Sequence, residues 1–134
     1  MKEVILDTDT VSYLFRQHPN VVEKVRKYTD IHDFMNISLV TYYEVMNGLY
    51  YRDAKRQMAV FQQFADDNSI LPLNREIADI SAKIFADLKS TGQSIGHTDT
   101  LIAGTAIHND MILITNNTRH FRRVEGLQFE SWAI

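Results

Sequence analysis

Three acidic residues hold most of the chemistry this sequence offers. Asp7 follows the apolar run Val4-Ile5-Leu6 with no loop between them. A strand-end Asp can simply cap the next helix, but Thr8, Asp9 and Thr10 compete for that role. Asp7 and Asp9 are two residues apart and repel unless a cation or hydrogen-bond donors compensate. Glu44 shares a helical face with Thr41 and Gly48. A Glu on a helix is ordinarily solvated. Gly inside a helix, however, costs about 1 kcal/mol against Ala, which points to a close approach on that face. Asp99 heads a stripe formed with Ile102, Ala103, Ala106 and Ile107. A first-turn Asp suits the helix dipole, yet a carboxylate continuing an apolar row needs a partner. The only basic side chains between Gly92 and Asn109 are His97 and His108, so a metal ion is a natural partner.

An all-oxygen set in a chain without Cys suits Mg2+ or Mn2+ rather than zinc. The five His show no zinc-like spacing. Mg2+ held by a few carboxylates and several waters commonly serves phosphoryl-group chemistry. After the segment Thr115-Asn116-Asn117, four basic residues crowd five positions: Arg119, His120, Arg122 and Arg123. They read either as a solvated charge run or as an edge that grips phosphate. Ser38 and Thr41 add hydroxyls. Tyr42, Tyr43, Tyr50 and Tyr51 read as core or interface packing rather than base stacking.

The elements that must position these residues alternate short apolar runs with helical periodicity. Strands are expected at Val4–Leu6, Phe34–Ile37, Ile70–Leu73 and Met111–Thr115, with Leu127–Phe129 a closing segment. Pro72 favours an edge or terminal position for its strand. Helices are expected over Val11–Phe15, from Pro19 through Tyr28, over Ser38–Tyr51 and over Thr98–His108. Two amphipathic stripes fill the middle: Ala54, Met58, Phe61 and Ala65 before a turn at Asp66-Asp67-Asn68, then Ile77 through Leu88. The alternation predicts a three-layer α/β/α sandwich around a mostly parallel sheet. In such folds function gathers outside the carboxyl ends of the strands, where Asp7, Ser38 and Thr115 stand.

A chain of 134 residues with 45% hydrophobic and 23% charged residues is expected to be a single globular domain, residues 1–134. No Cys means no disulfides, no thiolate metal site and no thiol nucleophile. No apolar run approaches the ~20 residues that span a bilayer. Asp7 comes too early for a secretory signal, so the expected setting is the cytoplasm. The balance of 14 Lys plus Arg against 17 Asp plus Glu disfavours a simple nucleic-acid-binding module. It leaves room for an enzyme whose carboxylates hold divalent cations, since a bound ion reverses the local sign.

Four segments, in order, carry a resemblance. Leu6-Asp7-Thr8-Asp9-Thr10, Ser38-x-x-Thr41-x-x-Glu44-x-x-x-Gly48, Ile95-Gly96-His97-Thr98-Asp99 with Ile102-Ala103, and Thr115-Asn116-Asn117-Thr118-Arg119-His120-Phe121 followed by Val124-Glu125-Gly126-Leu127 stand in the chain. Over essentially its whole length the sequence resembles the PIN-domain ribonucleases, specifically the toxin half of VapBC toxin–antitoxin pairs. The resemblance implies a Mg2+- or Mn2+-dependent endoribonuclease acting on RNA, usually a homodimer, silenced by a cognate antitoxin laid across the active site. Asp7, Glu44 and Asp99 then inherit the metal-ligand positions. Asn117 stands where many PIN domains carry a fourth acid, and Asp9 where Asn is usual. The implied mechanism is metal-assisted hydrolysis of a phosphodiester, with Asn117 or Thr115 ordering the water shell. Thr8, Ser38, Thr115, Arg119, Arg122 and Arg123 are the candidate substrate contacts. Two other readings are carried alongside. Asp7-Thr8-Asp9-Thr10-Val11 also fits the D-x-D-x-[T/V] of haloacid-dehalogenase phosphatases, though no later lysine with paired acids follows. A catalytically inactive binding module would use the acids as caps.

Overall fold

The computed structural model describes residues 2–134. Its strands are β1 (Val4–Leu6), β2 (Asn36–Ser38), β3 (Ser69–Leu71), β4 (Ile112–Ile114) and β5 (Phe129–Glu130), and they form one sheet in the order β3-β2-β1-β4-β5. Every neighbouring pair runs parallel, so each crossover needs a long connection, here supplied by helices. The helices are α1 (Thr8–Phe15), α2 (Pro19–Thr29), α3 (Leu39–Tyr51), α4 (Lys55–Asp67), α5 (Arg75–Ser90), α6 (His97–His108) and α7 (Thr118–Phe121).

Successive residues of the central strand face two different apolar cores. Val4 and Leu6 pack with Val11, Val21, Tyr28 and Phe61, whereas Ile5 packs with Val40, Ile102, Ala103 and Phe121. Ile114 and Leu113 of β4 divide the same way. A sheet covered on both faces requires this division, and it makes the fold the expected three-layer α/β/α sandwich. Connections from β1 lead through β2 to β3 on one side, while β4 lies on the other. The crevice at the carboxyl ends of β1 and β4 is therefore the topological switch point of the sheet.

Several expectations need correction. The first helix starts at Thr8, three residues before Val11, because the Asp7 side chain caps it. The second strand starts at Asn36, not at the exposed Phe34, and the Asn36 amide donates to Val4 O across to β1. Helix α4 runs through the expected turn at Asp66-Asp67, and Asn68 ends it. Pro72 does follow an edge strand, β3. The basic run after Asn117 is not a bare charged loop, since it forms α7 around the fully buried Phe121. Of the tyrosines, Tyr42 packs on Phe61, but Tyr43, Tyr50 and Tyr51 are exposed, Tyr51 to 92%, so they are no part of the core. Nothing presses on Gly48 either: a Cβ there would meet only the flexible Arg52 guanidinium, at 3.4 Å. Among the described residues, no helix is long and apolar enough to cross a membrane.

Candidate metal centre

Hydrogen bonds lock the ends of β1 and β4 together. Asp7 N donates to Ile114 O at 2.8 Å, and Thr10 Oγ1 donates to the same carbonyl at 2.9 Å. Asp7 Oδ1 accepts from Thr8 N (2.8 Å) and Oδ2 from Thr115 Oγ1 (2.8 Å). Thr115 Oγ1 in turn accepts from Asn117 N at 2.9 Å. Asp7 is thus a helix cap, and it is also a carboxylate fixed at the switch point, only 5% exposed. Burial, then the charge of Asp9, pushes its carboxyl up to about 7, against the pull of the Thr115 and Thr8 hydrogen bonds. Asp9 is raised by burial too. Its Oδ2 accepts from Asn116 N (3.0 Å), and its Oδ1 lies 3.2 Å from the Thr10 hydroxyl.

Helix α3 delivers Glu44. Ser38 Oγ accepts from Thr41 N at 2.9 Å and so sets where the helix begins. One turn later Glu44 Oε1 accepts from Thr8 Oγ1 at 2.7 Å, and Thr41 Oγ1 lies 3.1 Å from the same hydroxyl. Helix α6 delivers Asp99 in its first turn. Burial raises the Asp99 pKa, with His120 opposing and Glu44 and Asp9 adding to the rise. His120 Nδ1 lies 3.5 Å from Asp99 Oδ2 and 2.9 Å from Asn117 Nδ2. Strand ends and helix starts thus bring Asp7, Asp9, Glu44, Asp99 and Asn117 to one end of the sheet.

Two of the expected substrate contacts do not face outward. Ser38 and Thr115 are fully buried, with their hydroxyls committed to Thr41 and to Asp7. They position the acids instead. The Arg123 guanidinium lies 3.4 and 3.5 Å from the carbonyls of Ser94 and Gln93, bracing the loop before α6. Thr8 is half-buried and holds Glu44, while Arg119 and Arg122 are exposed on or just after α7. The sequence reading placed His120 only in a charge run; its spacing of three from Asn117 was the signal that it shares a helical face with the site.

Among the described residues, no Lys or Arg pairs with Asp7, Asp9, Glu44 or Asp99. Carboxyls gathered without counter-charge in a low-dielectric crevice are a donor set suited to a hard divalent ion. No three His, Asp or Glu side chains among the described residues converge on one ligating point. Mg2+ does not need such a cage, because it keeps several waters and takes one or two carboxylates directly. From Glu44 and Thr8 a groove of about 770 Å3 extends along α1, α3 and α4, with Phe15, Leu49 and Val60 on its walls and Arg16, Arg52 and Arg56 lining it.

Comparison with known proteins agrees with this geometry. Residues 4–127 match the family model of the PIN domain. The tRNA(fMet)-specific endonuclease VapC of Shigella flexneri is 31% identical over 134 residues, covering 99% of this chain and 100% of that protein. Ribonuclease VapC2 of Haemophilus influenzae is also 31% identical over 134 residues, with the same coverage. A chain in the crystal structure of DNA-bound VapBC from Salmonella typhimurium has a TM-score of 0.86 at 29% identity, covering 98% of this chain and 99% of that one. A parallel sheet with its acids at the β1–β4 switch point, matched end to end by these proteins, places the chain in the PIN-domain family, in its VapC branch.

Proposed function

We propose that this protein is a divalent-metal-dependent endoribonuclease, a toxin held in check by a cognate antitoxin. The observation that carries this reading is the group of carboxylates at the switch point, Asp7 buried and the others half-buried, with no Lys or Arg paired to them among the described residues, in a chain matched along its length by VapC ribonucleases. Asp7 and Asp99 would hold the ion, with Glu44 oriented toward it by Thr8. Bound Mg2+ or Mn2+ would supply a water activated for in-line attack on an RNA phosphodiester. Thr115 keeps Asp7 in place, and Asn117, anchored to Thr115 by its backbone N–H, would order the water shell. Arg119 and Arg122 are free to guide the phosphate backbone.

The groove that begins at Glu44 gives neutralisation a route. Its apolar walls and three arginines suit an amphipathic antitoxin segment carrying carboxylates, laid against the metal-binding acids. Exposed Tyr43, Tyr50 and Tyr51 on α3 suit a homodimer contact. The cytoplasm, where RNA is found, is the setting that fits.

Support for the phosphatase alternative is lost in the comparisons, since the chain is matched along its length by the PIN-domain model and by VapC ribonucleases. Incubating the purified chain with total RNA tests the proposal. Cleavage with Mg2+ or Mn2+, abolished by EDTA and absent in Asp99→Asn, is the expected result. RNA left intact by the wild type under every metal condition would refute it.

A further inference from the structure

Arg16, Arg52 and Arg56 are exposed, line the groove that starts at Glu44 and Thr8, and pair with no acid among the described residues. Each is placed by its own element. Arg16 follows α1, with its guanidinium 5.1 Å from the centre of the Tyr13 ring and its Nε 3.4 Å from Ser12 O. Arg52 is the C-cap of α3, and its side chain turns back along the helix, as helical side chains do. Its Nη1 lies 3.4 Å from where a Cβ on Gly48 would stand. The bare backbone at Gly48 leaves that guanidinium room about one turn, roughly 6 Å of helix axis, from Glu44. Arg56 stands in the first turn of α4, where the cap residue Ala54 makes no side-chain hydrogen bond and the helix dipole adds positive potential.

A chain of net charge −3 does not draw RNA by its overall field, so any grip on the strand must be local. Proteins that hold single-stranded nucleic acid combine cations that track the phosphates with apolar side chains on which the bases rest. The groove has both, since Phe15, Leu49 and Val60 face the same space as the three arginines. Its mouth lies at Glu44, among the acids proposed to hold the ion, so a strand cut there would carry its neighbouring phosphates past Gly48 toward Arg52. Resting on the nuclease reading above, we propose that Arg52, with Arg16 and Arg56, binds the RNA phosphates flanking the scissile one, so that the groove holds the substrate as a single strand. An antitoxin segment in the same groove would then exclude the strand by occupying these arginines.

The test uses the full chain with Mg2+ or Mn2+ and an end-labelled, mixed-sequence pool of single-stranded RNA, with initial cleavage rates measured at several salt concentrations. Arg52→Gln should raise KM about tenfold with kcat near the wild-type value, the signature of lost uniform binding. Its log(kcat/KM) should fall less steeply with log salt, by about 0.7 for each phosphate contact removed. Arg16→Gln and Arg56→Gln should flatten the slope too, and Arg52→Lys should restore much of it, because lysine keeps the charge. Arg26→Gln removes the same charge from α2, outside the groove, and should leave KM and slope unchanged. Equal flattening in Arg26→Gln would overturn the proposal, as a general effect of charge. A lower kcat in Arg52→Gln with an unchanged salt slope would also overturn it, because that is the mark of a structural role. So would wild-type KM and slope in all three groove variants, which would leave the arginines to an acidic peptide. In each of these cases the wild type still cleaves RNA, and the nuclease reading stands. No cleavage by the wild type with either ion would overturn that reading, and the phosphate subsite with it.

Discussion

Asp99 joins burial at the head of an apolar helix face to a place among like charges, and the two effects predict different outcomes for one substitution. Asp99→Asn keeps the shape but removes the proposed hard-metal ligand, so RNA cleavage should fall by more than about 100-fold, beyond the loss typical of an outer contact. The same change relieves repulsion from Glu44 and Asp9, so the metal-free variant should melt at the wild-type temperature or above. A folded Asp99→Asn that cleaves RNA at the wild-type rate would remove this residue from the site. Asp9 makes the contrasting case. Its carboxylate ties Asn116 to α1, so Asp9→Asn should keep cleavage within about tenfold of wild type, whereas Asp7→Asn should lose it. Equal losses in a side-by-side cleavage assay would make Asp9 part of the reacting centre. These acids were legible in the sequence because each sits where a carboxylate is awkward: after a strand or on an apolar stripe. The roles of Ser38 and Thr115 were not. Whether a hydroxyl meets substrate or is sealed beneath the acids depends on how β2 and β4 enter the sheet, and that is a tertiary fact.

Among the elements, the longer apolar periods were the most readable, and α3, α5 and α6 run close to the limits their patterns set. The four-residue α7 was missed because so short a helix has no period to detect; its tertiary anchor is Phe121. Gly104 was missed for a related reason. It lies within α6, which is buried on nearly every side, and it carries no turn signal. A Cβ added at Gly104 would land on Ser81 Oγ and lie 3.2 Å from Ile77 O, so α5 and α6 are in close contact here. Gly104→Ala should therefore destabilise the protein by about 1–3 kcal/mol, despite the better helix propensity of Ala. Ser81 Oγ is buried without a hydrogen-bond partner among the described residues. Ser81→Ala alone should thus be neutral or stabilising, and the double variant should recover part of the loss. Denaturant unfolding of the four proteins measures this, and a Gly104→Ala as stable as wild type would mean the helices are not held at this contact.

The whole molecule combines a sheet buried on both faces with negative charge concentrated at one end of it, and this links its stability to pH and to metal. The Asp7 carboxyl titrates at about 7 in the fold against 3.8 in the ordinary state. Between those values the folded chain binds a proton that the unfolded chain has released. The contribution of Asp7 to stability is therefore full below pH 3.8 and is lost as pH rises through about 7, a loss on the order of 4 kcal/mol in the metal-free protein. Asp9 and Asp99, also raised, act in the same direction. A divalent ion that binds the ionised cluster, as proposed, and not the unfolded chain should restore stability where the free protein loses it. The rise in melting temperature caused by Mg2+ or Mn2+ should accordingly grow from about pH 5 to about pH 8. Asp7→Asn should flatten the pH dependence of the metal-free protein and shrink the metal-induced rise at about pH 8. Thermal melts of both proteins across this range, with each ion and with EDTA, provide the measurement. An equal metal-induced rise in the two proteins would place the ion elsewhere. A difference in stability between them that does not vary with pH would mean that Asp7 is not the group whose burial links proton, metal and fold.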